Sequence, residues 1–280
     1  MKTKVLIAFL LMTLTASAAT KSTPKVKSQH FEVKDSIRMF DKENPQQPGF
    51  KFNKEVIADW PLTVNGKKSN ALNEFLVEEV FYASHNRDSY PKTPRDFKTL
   101  VEYTKNYVHT ILRTNSMAGE YIIKEYGTPG VNDINSQDEP MSCWYETTSL
   151  QYSHSVGNLM FFVENGGCYY GGAHGDFSTN YHAFDAALDK PIRLTDIVTN
   201  VSKVRRMLPS YDHRDKDNKW WDNIGAQDIF NFYIKDGKIV FLFQPYAVGP
   251  FCDGIVEVPV PLKTLKAKKL LTAYGQKLLK

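Results

Sequence analysis

The sequence predicts an α+β fold, with an antiparallel-rich sheet in the C-terminal half and helices contributed mainly by the N-terminal half. Three observations carry this. Apolar residues recur at helical spacing between Leu72 and Leu112. From Cys143 onward the period falls back toward two. The stretch "FNFYIKDGKIVFLF" joins two apolar runs through Asp236-Gly237, a pair that tolerates the positive φ of a tight hairpin turn. With 42% hydrophobic and 13% aromatic residues the chain can bury a core, and 24% charged residues keep its surface soluble, so a globular body is expected.

The elements follow in order. "MKTKVLIAFLLMTLTASAATKS" sets Lys2 and Lys4 before an apolar run from Val5 to about Leu14, then Ala16-Ser17-Ala18. That order is a secretory signal peptide, and the run is shorter than the ~20 residues a membrane helix needs. Residues 1–18 are therefore expected to be removed. No nearby cysteine accepts a lipid, so a periplasmic or secreted protein without a transmembrane anchor is expected. Residues 19–29 read as a flexible lead-in, with order from His30. "HFEVKDSIRMF" and "FKFNKEVIADWPL" are strand candidates. "SNALNEFLVEEVFYA" is a helix capped by Ser69 or Asn70, and "TPRDFKTLVEYTKNYVHTILR" a second helix with Thr93 as cap and Asp96 as an early acid. Strands are expected at 144–152, 159–170, 181–186, 229–234, 238–243 and 255–260, with a short helix from Thr199 or Asn200 to Pro209. The basic tail "KTLKAKKLLTAYGQKLLK" reads as one terminal helix docked through Leu262, Leu265, Leu270 and Tyr274. The chain divides into an N-terminal region, 30–140, and a C-terminal domain, 141–280.

The formal charge of +4 becomes about +2 when Lys2 and Lys4 leave, so no strong field for nucleic acid is expected. Three cysteines, Cys143, Cys168 and Cys252, in an oxidising compartment suggest one disulfide and one thiol. Cys143 and Cys168 flank a hairpin turning at Val156-Gly157-Asn158 and are the preferred pair; Cys168 with Cys252 is the alternative.

Two loops concentrate unusual residues. In "CYYGGAHGDFSTNYHAF", Gly171 and Gly172 permit a turn out of the sheet, and His174 can fix the loop by donating to a backbone carbonyl. The functional reading instead places Tyr169, Tyr170, His174, Asp176 and His182 on an accessible surface that holds a sugar or a protein. In "QPYAVGPFCDG", Pro245 ends a ladder, Gly249-Pro250 turns the chain and Gly254 permits its return, while Tyr246 and Phe251 are either core plugs or exposed anchors. If the strands before these loops run in the same direction, His174, Asp176, Tyr246 and Phe251 share one surface. "DHRDKD" reads as a solvated turn. The motifs G-x-S-x-G, H-E-x-x-H, G-x-G-x-x-G and the P-loop are absent. Cys168 with His174 as a nucleophile pair, and His174, Asp176 and His182 as metal ligands, are incomplete sets. No catalytic residue, metal or cofactor is predicted.

"YYGGAHGDFSTNYHAFD", "KPIRLTDIV" and "VFLFQPYAVGPFCDGIVEVPVPLKTL" together resemble a secreted family, domain of unknown function 3298, over about Cys143 to Leu270. "DWPLTVNGKKSNALNEFL" resembles domain of unknown function 4163. The pairing is similar to the lysozyme-binding extracytoplasmic part of the sigma-V anti-sigma factor and to the non-catalytic region of some peptidoglycan deacetylases. The resemblance implies an envelope-facing binding module, with a peptidoglycan or other glycan fragment or a lysozyme-like protein as partner. A glycan hydrolase with a site around His174, and a structural or inhibitor-like envelope protein, are the alternatives.

Overall fold

The computed structural model describes residues 23–39, 50–82, 94, 96–126, 143–170, 174–214 and 219–279. The signal peptide, Thr93, Gly171 and Gly172 lie outside the described residues. Strand β1 (Val26–Met39) pairs antiparallel with β2 (Phe50–Val64) along its whole length. Regular structure thus begins at Val26 rather than at His30, because Lys25 is pinned to the far end of β2: its amide donates to the Asn65 side chain and its carbonyl accepts from Asn65 N, both at 2.9 Å.

Helix α1 (Asn70–Val77) is capped by Ser69, whose hydroxyl accepts from Leu72 N at 2.9 Å, and runs into a π turn, Glu78–Tyr82. Helix α2 (Phe97–Tyr126) opens at Asp96, whose carboxylate accepts from Thr99 N at 2.8 Å. Both helices bury their stripes, including Leu72, Leu76, Leu100, Val108 and Ile111, against Phe31, Phe52 and Trp60 of the hairpin.

Strand β3 (Cys143–Val156) lies parallel to β2, and β4 (Leu159–Tyr169), β5 (Asp176–Asp185) and the short β6 (Lys190–Pro191) continue antiparallel. The described strands therefore form one six-stranded sheet across the middle of the chain, in the order β1 to β6. A second sheet holds β7 (Phe232–Lys235), β8 (Lys238–Phe243) and β9 (Val256–Pro261), all antiparallel. Its first turn takes φ of 49° at Asp236 and 71° at Gly237, as the Asp-Gly pair predicts.

The run Leu159-Met160-Phe161-Phe162 is buried on both faces. Met160 and Phe162 join the helix-side core, while Leu159 and Phe161 join a second core with Phe232, Phe241 and Val258. A continuous apolar run instead of alternation is the mark of a strand covered on both sides. The architecture is α+β as expected, in three layers: helices, six-stranded sheet, three-stranded sheet.

Helix α3 (Leu194–Ile197) precedes α4 (Val201–Met207), which Asn200 caps by accepting from Lys203 N at 2.8 Å. The tail departs from a single helix. It forms α5 (Leu262–Ala267) and α6 (Ala273–Lys277), because Lys269 takes a left-handed φ of 55° and Thr272 recaps the chain by accepting from Gly275 N at 3.0 Å. Among the described residues no helix is long and apolar enough to cross a membrane.

The disulfide expectation is corrected. Cys168 and Cys252 are free thiols. The register sets Cys168 opposite Glu146, three positions from Cys143. Cys168 thus faces Glu146 across the ladder, and neither expected pairing of Cys168 is made.

Candidate functional site

The loop after β4 and the loop after β8 meet. The His174 ring lies against Phe251 with centroids 3.9 Å apart and planes at 22°. Tyr246 and Phe177 each approach Phe251 at 5.5 Å, Phe177 edge-on. His174 Nδ1 lies 2.8 Å from the Gly175 carbonyl, which can only accept, so this nitrogen carries a proton. In the neutral ring Nε2 then accepts from the Tyr246 hydroxyl, 3.1 Å away. Tyr246 is 52% exposed and Phe177 41%, and His174 is exposed, so these three rings face solvent, while Phe251 among them is half-buried. His174 thus fixes its loop through a backbone carbonyl, as the structural reading expects, and is itself exposed.

Strand alternation extends the surface. Tyr145 and Tyr169 are register partners that stack at 6.3 Å and 27°, and Phe177 belongs to the same face of the sheet. Gly175 joins the two groups of rings. A Cβ there would stand 2.7 Å from the Cys168 carbonyl, 3.1 Å from the Tyr145 hydroxyl and 3.6 Å from Tyr169 Cβ, so only glycine fits. Sequence reasoning missed Tyr145 and Phe177; the signal available was their two-residue alternation with partners whose register becomes visible only in the sheet.

Backbone geometry and one ion-pair strut hold the second loop. Tyr246 takes φ of 68°, and Gly254 takes φ of 65° with ψ of −145°, a region open essentially to glycine alone. The Gln244 side chain clips the loop to β5, accepting from Thr179 N at 3.1 Å and donating to Thr179 O at 2.8 Å. Arg214 reaches across to donate to Val248 O at 3.0 Å and to Asp253 Oδ2 at 2.5 Å, and it grips Asp212 through Nε (3.0 Å) and Nη2 (2.9 Å). Gly249 leaves the room this strut needs, since a side chain there would strike Asp253 and Arg214. "DHRDKD" is thus not simply a solvated turn. Asp212 is buried and also accepts from Trp221 Nε1 at 2.9 Å. Burial pushes its carboxyl up, but the Arg214 and Trp221 hydrogen bonds together outweigh that and hold it below the ordinary range.

The remaining candidates lie on the opposite, helix-side face. His182 is buried, with Nε2 2.8 Å from Glu164, Nδ1 3.6 Å from Glu79 and its ring edge-on to Phe75. Asp176 is the register partner of Cys168 and caps Phe177 N at 2.8 Å. Tyr170 packs on Phe52 and Trp144 and donates to Glu146 at 2.5 Å; burial first, then Glu146, pushes its phenol well up. Glu146 also accepts from Lys54 at 2.5 Å. Lys54 is fully buried, bonds Thr148 at 3.1 Å and lies 5.4 Å over the Tyr107 ring. Burial pulls its pKa down against the opposing pull of Glu146. Sequence reasoning missed this network because a lysine at an inward position of a strand leaves no mark until the register pairs it with Glu146. His174, Asp176 and His182 therefore do not converge, and among the described residues no group of three or more His, Cys, Asp or Glu is placed to hold a metal. Cys168 belongs to the face opposite Tyr169, away from the ring cluster, and burial followed by Asp176 raises its thiol pKa, which is the reverse of an activated nucleophile.

Comparison with known proteins agrees with this architecture. Residues 187–263 match the family model "Protein of unknown function (DUF3298)". The match is narrower than Cys143 to Leu270: it takes in the Tyr246–Phe251 loop and leaves out the loop of His174. A solved member of the DUF3298 family from Bacteroides fragilis NCTC 9343 is similar at a TM-score of 0.58 and 18% identity, over 90% of this chain and 96% of that one. A DUF3298 family protein from Pseudomonas aeruginosa PAO1 is similar at 0.50 and 10% identity, over 89% of this chain and 96% of that one. At these identities the likeness is one of fold. No curated protein matches the sequence. Residues 187–263 are a DUF3298 domain, and its second loop supplies Tyr246 and Phe251 to a surface completed by β3, β4 and β5.

Proposed function

We propose that the protein is an exported cell-envelope binding module that holds a peptidoglycan or related glycan fragment against the rings of His174, Phe177, Tyr246 and Phe251. The observation that carries the reading is the stack of the exposed His174 ring on the half-buried Phe251 at 3.9 Å, with His174 held by the Tyr246 hydroxyl. A pyranose ring offers one face of C–H groups and a rim of hydroxyls. Rigid aromatic faces with polar tips complement both, and they do so with little conformational entropy to lose. The signal sequence and the resemblance to envelope-facing proteins support export and an envelope ligand.

Titration calorimetry with soluble peptidoglycan fragments and, separately, with lysozyme tests the reading. Tyr246→Ala and Phe251→Ala are each expected to weaken fragment binding by at least ~1–2 kcal/mol while the thermal transition stays in place. Absence of fragment binding by the wild type sinks the glycan reading. Binding of lysozyme alone, lost in the same variants, assigns the surface to a protein partner instead. Equal binding by folded variants places the site elsewhere.

A further inference from the structure

The end of the chain carries a charge pattern the aromatic surface does not use. From Leu262 to Leu279 the sequence has lysine at 263, 266, 268, 269 and 277 and no aspartate or glutamate. Leu262, Leu265, Leu270 and Leu271 turn into the core, and all five lysines stand exposed. Backbone bonds from Thr199 N to Leu270 O and from Thr272 N to Ile197 O, both 2.9 Å, lay this segment beside the start of α4, where Lys203 is also exposed. Two acids on the neighbouring segments are already committed. Asp185 is buried and holds the Tyr274 hydroxyl at 2.6 Å; Asp196 accepts from Arg193 N at 2.8 Å and pairs with Lys190 at 3.3 Å. Among the described residues none of the six lysines has an ion-pair partner.

The position of this patch matters as much as its charge. Strand β8 runs from Lys238 toward the loop of Tyr246 and Phe251, and β9 runs back from Val256 to Pro261. Leu262 N then donates to Gly237 O at 2.9 Å, at the far end of the sheet. The lysine-rich end and the aromatic end are thus separated by the length of β8, roughly 20 Å at ~3.4 Å per residue.

We propose that this lysine-rich end docks the protein onto the anionic phosphate headgroups of a lipid bilayer, with the aromatic surface directed away from it. The charges are spread over two helices, the turn between them and α4, not along one groove, an arrangement suited to a broad sheet of headgroups more than to a threaded polymer. Lysine supplies compact, mobile charges that need no fixed geometry, unlike the planar fork of arginine. The leucines of the segment face inward, so attachment is electrostatic and salt-sensitive and inserts no apolar side chain.

Sedimentation of the purified protein with large vesicles tests this. Phosphatidylcholine vesicles containing phosphatidylglycerol are expected to pull the wild type down at low salt, and phosphatidylcholine alone is not. The K266E/K268E/K269E variant is expected to bind the anionic vesicles at least about tenfold more weakly, each lysine near such a surface contributing a roughly fivefold factor. The neutral K266Q/K268Q/K269Q counterpart, expected at intermediate affinity, separates charge from any effect on folding. Tyr246→Ala is expected to sediment like the wild type. Equal sedimentation on both vesicle types, or wild-type binding by both triple variants, overturns the proposal. Capture by soluble polyphosphate without sedimentation on vesicles assigns the patch to a phosphate polymer and also overturns it. Loss of vesicle binding in Tyr246→Ala would show that the two ends are not separate.

Discussion

Strands β3, β4 and β5 carry two chemistries back to back. On the helix side Lys54, Glu146 and Tyr170 form one chain of short hydrogen bonds, and His182 lies 2.8 Å from Glu164 with Glu79 beyond it at 3.6 Å. On the other side Tyr145, Tyr169, Phe177, His174, Phe251 and Tyr246 gather as rings, several of them in solvent. The perturbed lysine and phenol belong to the helix side, where their partners already occupy them. Perturbed titratable groups often mark active sites, yet structural ion-pair networks perturb them equally. Here Lys54 is sealed under Tyr107 with its charge spent on Glu146, so its environment speaks for stability. The ring surface offers contact area and a few polar tips, which suits recognition.

If the two faces do separate work, breaking each gives a different readout. Lys54→Ala should have the largest effect. It removes the cation from a buried pair and leaves Glu146 uncompensated, a change that typically costs about 3–5 kcal/mol of stability. Denaturant midpoints measure it, and the affinity of the protein that remains folded should stay near wild type. A variant with unchanged stability would mean that Glu146 finds enough solvent on its own, since its side chain keeps 19% exposure. Gly254→Ala comes next. A Cβ in that backbone region is strained by ~1–3 kcal/mol, and the strain falls on the loop that presents Phe251. Stability and glycan affinity should therefore drop together, unlike in Tyr246→Ala, where affinity alone drops. A Gly254→Ala protein that keeps full affinity would show that the loop re-forms around the substitution.

Much of this contrast was legible beforehand, and the rest was hidden for physical reasons. Asp236-Gly237 and Gly157 marked their turns because their φ values, 71° at Gly237 and 59° at Gly157, are a local demand that sequence can answer. Asn200 and Ser69 were visible as caps for the same reason. The meeting of His174 with Tyr246 and Phe251 followed from two irregular loops after strands assumed to run alike. Register was not legible. Whether Cys168 faces Cys143 or Glu146 is set by a one-residue choice that reverses every side chain, and the parallel joining of β2 to β3 across a long connection leaves no periodic trace. The tail misled for another reason: leucine spacing fits one helix, but burying Leu270 and Leu271 in sequence requires a turn, which Lys269 and Thr272 supply.

The smallest expected effect lies at the seam between the sheets rather than on either face. His154 stacks on Phe161 at 5.0 Å and donates from Nε2 to the Ile234 carbonyl at 2.8 Å, joining β3 to β7. With Nε2 donating, Nδ1 is left to accept from the Ser153 hydroxyl at 2.9 Å, a bond that protonation would remove. Burial first, and Lys235 after it, lowers its pKa from 6.5, against the opposing pull of the Ile234 carbonyl. The sign follows from linkage. Below about 6.5 the unfolded histidine binds a proton that the folded one still refuses, so stability is full above that value and falls as pH drops toward the folded pKa. His154→Gln keeps a donor for Ile234 but cannot titrate. It should be less stable near neutrality, for want of the stack, and should lose less on acidification. Denaturant unfolding of both proteins at several pH values between ~7.5 and ~5 reads the difference in slope. Parallel curves would move the acid sensitivity to another group and leave the seam as packing alone.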